Sequence, residues 1–375
     1  MPGHATAPRS LPYLPTTVVG SYSVPEWLDR LKTDYYQNRL SKQHLSEICD
    51  ACIKAALKDQ ELTGIDVVSD GELRRDNDID YLLARIPGIE VENTAKTYYY
   101  DYYETVVTTA LPSHEATALG LAEDFSFTRA HTDRPIKFSF TGPFSLSRRV
   151  RNDAYPNTAD LVLALAEVLN AEAHRLAAAG ATLMQIDEPF LAGYPDEVSV
   201  AIEAINVVTK GVDATWGLHV CYGNRYARPS WEGHYDFLFP AVIDANVDQL
   251  ILEFARKGYD DLQLIQRFGW DRALGLGVVD VKTEDVETPD LIAARIRRAL
   301  DVVPPERLIV NPDCGLRHLP ADAARAKLRA MVEGAATVRQ ELPRGEGAAP
   351  AALAAAELHS VNSDTHGEMI DEATG

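Results

Sequence analysis

The chain has 375 residues, 46% hydrophobic and 25% charged, which is ordinary globular usage and excludes disorder as its main state. Lys and Arg number 36 against 56 Asp and Glu, and the formal charge of −20 argues against nucleic acid or anionic membrane as partners. No apolar run reaches the roughly 20 residues of a membrane helix, the opening MPGHATAPRSLP lacks a signal-peptide core, and four cysteines cannot make a disulfide scaffold, so a cytoplasmic protein is expected.

Short β-rich runs alternate with helical patterns along the chain. The runs are Thr16–Tyr22, Ile65–Asp70, Lys137–Thr141, Thr182–Asp187, Thr215–Tyr222, Gln249–Glu253, Leu274–Val281 and Leu308–Pro312. Most are apolar with few interruptions, as buried strands of a parallel sheet should be. Helices are expected over Lys42–Lys58, running on to Gly64, over Asp160–Ala179 before the stop signal Gly180, over Thr288–Leu300 with Pro289 near its start, and over Ala321–Leu342. Eight strands alternating with helices predict a (β/α)8 TIM barrel as a single domain over residues 14–343. A doubly wound sheet is the second choice, and no G-x-G-x-x-G follows the first run. An insert, Ile86–Arg134, separates the second and third runs and carries TYYYDYYE at Thr97–Glu104, which reads as an accessory hairpin or lid, or as plain packing over the barrel. Residues 1–13 and 344–375 are expected to be flexible.

The residues that end the runs carry the chemistry. In a barrel the C-terminal strand ends converge on one mouth. The ends here are Gly20-Ser21, Asp70-Gly71-Glu72, Thr141-Gly142-Pro143, Asp187-Glu188-Pro189, His219-Val220-Cys221, Glu253, and Asn311-Pro312-Asp313-Cys314. His219 and Cys221 stand two apart on a strand, so they share a face. Imidazole and thiolate together suit zinc, and Glu253 and Cys314 could complete a tetrahedral set. The plain alternative is a satisfied histidine beside a buried cysteine. Cys49 and Cys52 form a C-x-x-C inside a helix with no second pair, and read as two small buried residues.

PTTVVGSY (15–22), DGE (70–72), TGP (141–143), QIDEP (185–189), HVCYGN (219–224), LEF (252–254) and NPDCG (311–315) resemble, in order, the catalytic half of cobalamin-independent methionine synthase. The resemblance runs from Leu14 to Leu342. It implies a (β/α)8 barrel, a zinc ion held by His219, Cys221, Glu253 and Cys314, and homocysteine as the thiol substrate. It implies that Val19, Gly20, Ser21, Glu72 and Asp187 hold that substrate. Alkylation needs a thiolate, and a free thiol with a pKa of ~8.5 is mostly protonated at neutral pH, so a metal that ionises it serves the reaction. Glu72 and Asp187 could clamp an α-ammonium or form salt bridges to Arg74 or Arg75. Gly20 and Ser21 could offer N–H groups to a carboxylate or make a tight turn.

The methyl-donor side departs from the family. One barrel is expected here where the full-length plant and bacterial enzyme has two. Lys282 stands where the family keeps a histidine acid, either as a catalytic proton donor or as a structural partner of Asp280 or Asp285. After IDEP, Phe190-Leu191-Ala192-Gly193 lacks the family's carboxylate, and Ser147-Arg148-Arg149 replaces a tryptophan. The donor is therefore read as a methyl-folate or, because it needs no acid, a corrinoid protein. The alternative function is a zinc-dependent thiol transferase of the epoxyalkane–coenzyme M type, kept open by Arg74, Arg75, Arg148 and Arg149. A metal-free relative like uroporphyrinogen decarboxylase would have no use for His219, Cys221 and Cys314 together.

Overall fold

The computed structural model describes residues 11–95, 101–112 and 118–342. In chain order the regular elements begin with helices α1 (Glu26–Tyr36), α2 (Lys42–Thr63) and α3 (Asp80–Leu83), then strands β1 (Ile89–Asn93) and β2 (Glu104–Val107). Next come α4 (Leu121–Arg129), β3 (Phe138–Thr141), α5 (Pro143–Ser147), β4 (Arg151–Asn152), α6 (Thr158–Ala178) and β5 (Leu183–Asp187). The rest are α7 (Val198–Thr209), β6 (Thr215–Val220), β7 (Gln249–Leu252), α8 (Leu262–Arg267), β8 (Ala273–Val279), α9 (Pro289–Leu300), β9 (Leu308–Pro312) and α10 (Ala321–Glu341).

The local signals act as expected at the helix ends. The Ser41 hydroxyl accepts the His44 N–H at the start of α2, and Gly64 closes that helix at φ 91°. Asn157 caps α6, and Thr288 with Pro289 opens α9. Cys49 is buried and Cys52 half-buried on α2, and neither touches the functional site.

Six strands form one parallel sheet in the order β3-β5-β6-β7-β8-β9. Each new strand joins the side its predecessor left open, so the order never reverses and the doubly wound alternative is excluded. The two expected runs Thr16–Tyr22 and Ile65–Asp70 are not regular strands. They join the sheet through isolated parallel bridges, Thr16 with Val310, Thr17 with Val67, and Val68 with Ile136.

Side chains take over the backbone groups that a ladder would use. Asp66 accepts both the N–H and the hydroxyl of Thr16 at 2.8 Å. The Gln60 amide bonds the Ser69 N–H and C=O at 3.0 Å each, and the Ser69 hydroxyl donates to Gly20 O at 2.6 Å. Backbone groups satisfied this way have no need of strand partners.

The six strands of the parallel sheet are buried along almost their whole length, and helices pack around them. Leu11, Val67, Leu183, Ala273 and Ile309 form a separate small apolar cluster among the strand beginnings, at the end away from the site. Of the segment expected to be flexible at the N-terminus, residues 1–10 lie outside the described residues, as do those from 343 onward, while Leu11 is buried.

Part of the expected insert is a hairpin. β1 and β2 pair antiparallel, and β2 pairs in parallel with β4. Of the tyrosine run, residues 96–100 lie outside the described residues; Asp101 and Tyr102 reach the sheet's C-terminal end. No helix of the described residues is long and apolar enough to cross a membrane.

Asp66 also receives Arg339 of α10 at 2.6 Å, so one carboxylate ties the first bridged segment to the closing helix. Asp66→Ala should lower unfolding stability by about 2 kcal/mol, the loss of charge-assisted bonds at a half-buried site. A urea midpoint unchanged from wild type would show that the carboxylate contributes nothing.

Candidate metal centre and substrate pocket

The C-terminal strand ends surround a cavity of ≈ 280 Å3. Its lining brings together Val19, Gly20, Ser21, Glu72, Asp187, His219, Cys221 and Cys314, all anticipated from the sequence. Glu253 and Lys282 are not part of that lining.

The metal-binding atoms of His219, Cys221 and Cys314 all lie within 4.8 Å of one another, and the two sulfurs are 3.5 Å apart. His219 belongs to β6 opposite Asp187 of β5, Cys221 follows that strand, and Cys314 follows β9. Both ring nitrogens of His219 are buried with no hydrogen-bond partner. Orphaned nitrogens are costly, and a metal ion would satisfy one of them. The neighbouring Cys221 sulfur, together with burial, pushes the Cys314 thiol well above its ordinary pKa. These residues fit a zinc ion: borderline-soft N and S donors, converging, shielded from water, and protonated until a cation displaces the protons.

Glu253 stands outside that group. It is buried, and its carboxylate is divided between two cations, Arg256 at 2.7 Å and Lys282 at 3.0 Å. The Tyr222 N–H adds a third contact at 3.2 Å. Lys282 therefore pairs with neither Asp280 nor Asp285 through its ammonium group; Asp280 only accepts its backbone N–H. Burial alone would lower the lysine's pKa, but Glu253 and the two thiols outweigh it and hold it above the ordinary value.

The two pocket carboxylates differ. Glu72 sits at φ 56° in the left-handed region, a strain tolerated here because the Asp70 carboxylate takes its N–H. Its Oε1 is bonded by Ser139 at 2.7 Å and faces Arg75 at 3.1 Å, so the anticipated salt bridge to Arg75 exists even though Glu72 lines the cavity. Arg74 is engaged elsewhere, by Asp50 and Asp124. A Cβ on Gly20 would come within 2.5 Å of Glu72 Oε1, so only glycine lets that carboxylate lie against the backbone. Asp187 receives the Gln185 amide at 2.6 Å. Burial lifts its pKa to about 7, with nearby His219 pulling the other way and Glu72 adding to the rise.

Two buried carboxylates that the motifs contain, but whose roles the sequence did not disclose, hold the frame. Glu188 accepts the N–H groups of Phe144 and Ser145 and the Ser145 hydroxyl, tying the end of β5 to the start of α5. Asp313 accepts the N–H groups of Phe254, Ala255 and Arg256 at 2.8–2.9 Å. The outer wall contains residues that sequence reasoning missed altogether: Asp78, Arg225, Trp231 and His318. Trp231 lies in the Gly223–Gly233 loop that follows HVCYGN, and His318 follows NPDCG closely, so proximity to a recognised motif was the available signal. Burial and Arg317 lower the pKa of His318 to about 4, which leaves it neutral.

Fold and site together define a parallel α/β protein with a candidate His–Cys–Cys metal centre opening on a pocket lined by both carboxylates and arginines. The model of the cobalamin-independent synthase catalytic domain matches residues 14–337, and the chain belongs to that family. The methionine synthase of Saccharolobus solfataricus is 36% identical over 337 residues, covering 89% of this chain and 97% of that one. The methionine synthase of Sulfurisphaera tokodaii is 35% identical, with 88% and 94% covered. Among solved structures, a B12-independent methionine synthase from Shewanella sp. W3-18-1 in complex with selenomethionine superposes with TM-score 0.77 at 27% identity, over 88% of this chain and 98% of that one.

Zinc uptake should require loss of the thiol protons, so affinity should rise with pH and loading should release acid. Chelator competition in weakly buffered solution with a pH indicator measures both, and a pH-independent affinity would contradict the assignment. Cys314→Ser should lose most of the zinc found in the wild-type protein; full occupancy by metal analysis would remove Cys314 from the set.

Proposed function

We propose that this chain methylates the thiol of homocysteine, giving methionine, at a zinc site in the mouth of a (β/α)8 barrel. One observation carries the reading: the His219–Cys221–Cys314 group and the carboxylates of Glu72 and Asp187 line the same cavity. A thiol and an α-ammonium on one small molecule match that pairing. The bridges Val310–Thr16, Thr17–Val67 and Val68–Ile136 support the barrel, because they link β9 round to the segment that enters β3.

Zinc bound by His219, Cys221 and Cys314 would supply the acidity that keeps a substrate sulfur ionised at neutral pH. Glu253 is the fourth donor we assign. Lys282 and Arg256 compete for its oxygens, so it is the ligand most readily released. Glu72 and Asp187 accept the substrate ammonium, and the backbone of Val19–Ser21 faces its carboxylate. The thiolate sulfur takes the methyl carbon, and the bonding electrons leave with the donor.

The leaving group decides the donor. A methyl-folate leaves from an amine nitrogen that needs a proton, whereas methylcobalamin does not. Lys282 would be that acid by position, but it is ion-paired to Glu253 with a raised pKa and does not line the cavity. We read Lys282 as the residue that positions Glu253, and we favour a corrinoid over methyl-folate as donor. Of the four arginines that kept the coenzyme M reading open, Arg74, Arg75 and Arg148 are committed to Asp50 and Asp124, Glu72, and Glu197 respectively; Arg149 alone lines the cavity, where the carboxylates of Glu72 and Asp187 beside the metal-binding group suit an ammonium and not a sulfonate.

Glu72→Gln and Asp187→Asn should each weaken homocysteine binding by about 1.5–3 kcal/mol, roughly tenfold to a hundredfold, without releasing zinc. Titration calorimetry on the zinc-loaded variants tests this, and normal binding by both would defeat the amino-acid thiol. Asp187 must be ionised to hold an ammonium, and its pKa is raised to about 7, so affinity should climb as pH rises through that value. Methionine formation from methylcobalamin and from methyl-folate, side by side, tests the donor. Efficient turnover with methyl-folate alone would overturn the corrinoid preference.

A further inference from the structure

Arg149 is a guanidinium built into the cavity wall with no counter-ion among the described residues. No carboxylate among the described residues pairs with it, and its Nε is buried with no hydrogen-bond partner. The two other arginines of the lining are neutralised, Arg225 by Asp101 and Arg317 by Asp29. Arg148, next in the chain, is held by both oxygens of Glu197. Arg149 instead has its Cζ over the Tyr102 ring, 4.1 Å from the centroid. The Tyr102 hydroxyl is fixed by Asp78 at 3.1 Å, so the platform under the guanidinium is itself anchored. Beyond Tyr102 the wall continues through Phe190, 6.3 Å away, to Trp231, a further 5.5 Å.

A stacked, half-buried guanidinium is pre-organised to take an oxyanion through two parallel N–H bonds. Among the described residues its charge meets the face of the Tyr102 ring and no carboxylate. The substrate amino acid has its own partners in the same cavity, at Glu72, Asp187 and the Val19–Ser21 backbone. We propose that Arg149 binds an anionic group of the methyl donor, a carboxylate or a phosphate, while the donor's flat ring rests against the Tyr102–Phe190–Trp231 wall. The assignment rests on the methyltransferase reading above. It makes Arg149 a determinant of donor specificity, supplied by the stretch in which this chain departs from the family.

The two sources of the anion are separable with paired ligands. Tetrahydrofolate monoglutamate carries carboxylates that the bare tetrahydropterin lacks, and hydroxocobalamin carries a phosphate that cobinamide lacks. Equilibrium dialysis of the zinc-loaded protein should show wild type preferring the anion-bearing member of one pair. Arg149→Met should weaken that member by about tenfold or more and erase the preference, with Arg149→Lys intermediate. Homocysteine affinity and melting temperature should stay at wild-type values. Equal affinities in wild type and Arg149→Met, equal weakening of both members, or a loss of homocysteine affinity would each overturn the role of Arg149 alone. Failure of wild type to bind any of the four ligands would overturn the donor reading and this role with it.

Discussion

Asp313 fixes the site. Its buried carboxylate accepts three consecutive N–H groups after β7, while its own N–H bonds Val279 at the end of β8. Three strand ends are thereby locked together by one residue. Glu253 precedes the bonded stretch and Cys314 follows Asp313 directly, so the carboxylate fixes an acid and a thiol at once. Such a lock works because a carboxylate inside protein is tolerable only when backbone donors satisfy it. Burial and Glu253 push its pKa to about 7, the electrostatic cost of that position. Glu188 does the same at β5, and a Cβ on Gly142 would meet its Oε1 at 2.1 Å, so the glycine of TGP is there to let the carboxylate in.

Charge pairing then divides the mouth into zones. Glu253 shares its charge with Lys282 and Arg256, outside the cavity lining. Glu72 is moderated by Arg75, whereas Asp187 has only an amide donor and the induction of its neighbours. The thiols and imidazole sit between these zones. The same cavity is lined by two of these carboxylates, by the imidazole and the two thiols, and by aromatic faces and a guanidinium.

Much of this was legible in the residues. The apolar runs gave the sheet, the caps gave the helix ends, and the residues closing the runs, together with the family resemblance, gave eight of the cavity-lining positions. These features are local: a strand's end and its alternating faces are written in a few consecutive residues. Two runs misled. Thr16–Tyr22 and Ile65–Asp70 have strand composition, yet the backbone groups of Thr16, Gly20 and Ser69 are taken by the side chains of Asp66, Ser69 and Gln60, which leaves the runs only isolated bridges.

What only tertiary structure decided is which charge meets which. His219, Cys221, Cys314, Glu72 and Asp187 could be assigned from the sequence because converging parallel strands bring their ends to one place whatever the intervening loops do. Lys282 with Glu253, Glu72 with Arg75, and Arg149 over Tyr102 could not, because each depends on the reach and rotamer of side chains from separate loops. Trp231 and His318 enter the pocket on loops whose paths no periodicity encodes. The sequence by itself therefore determined the sheet, the family and the residues that the strand ends bring to the pocket. The pairing of its charges and the makeup of its outer wall came from packing between segments, where partner choice is set by three-dimensional distance and desolvation rather than by spacing along the chain.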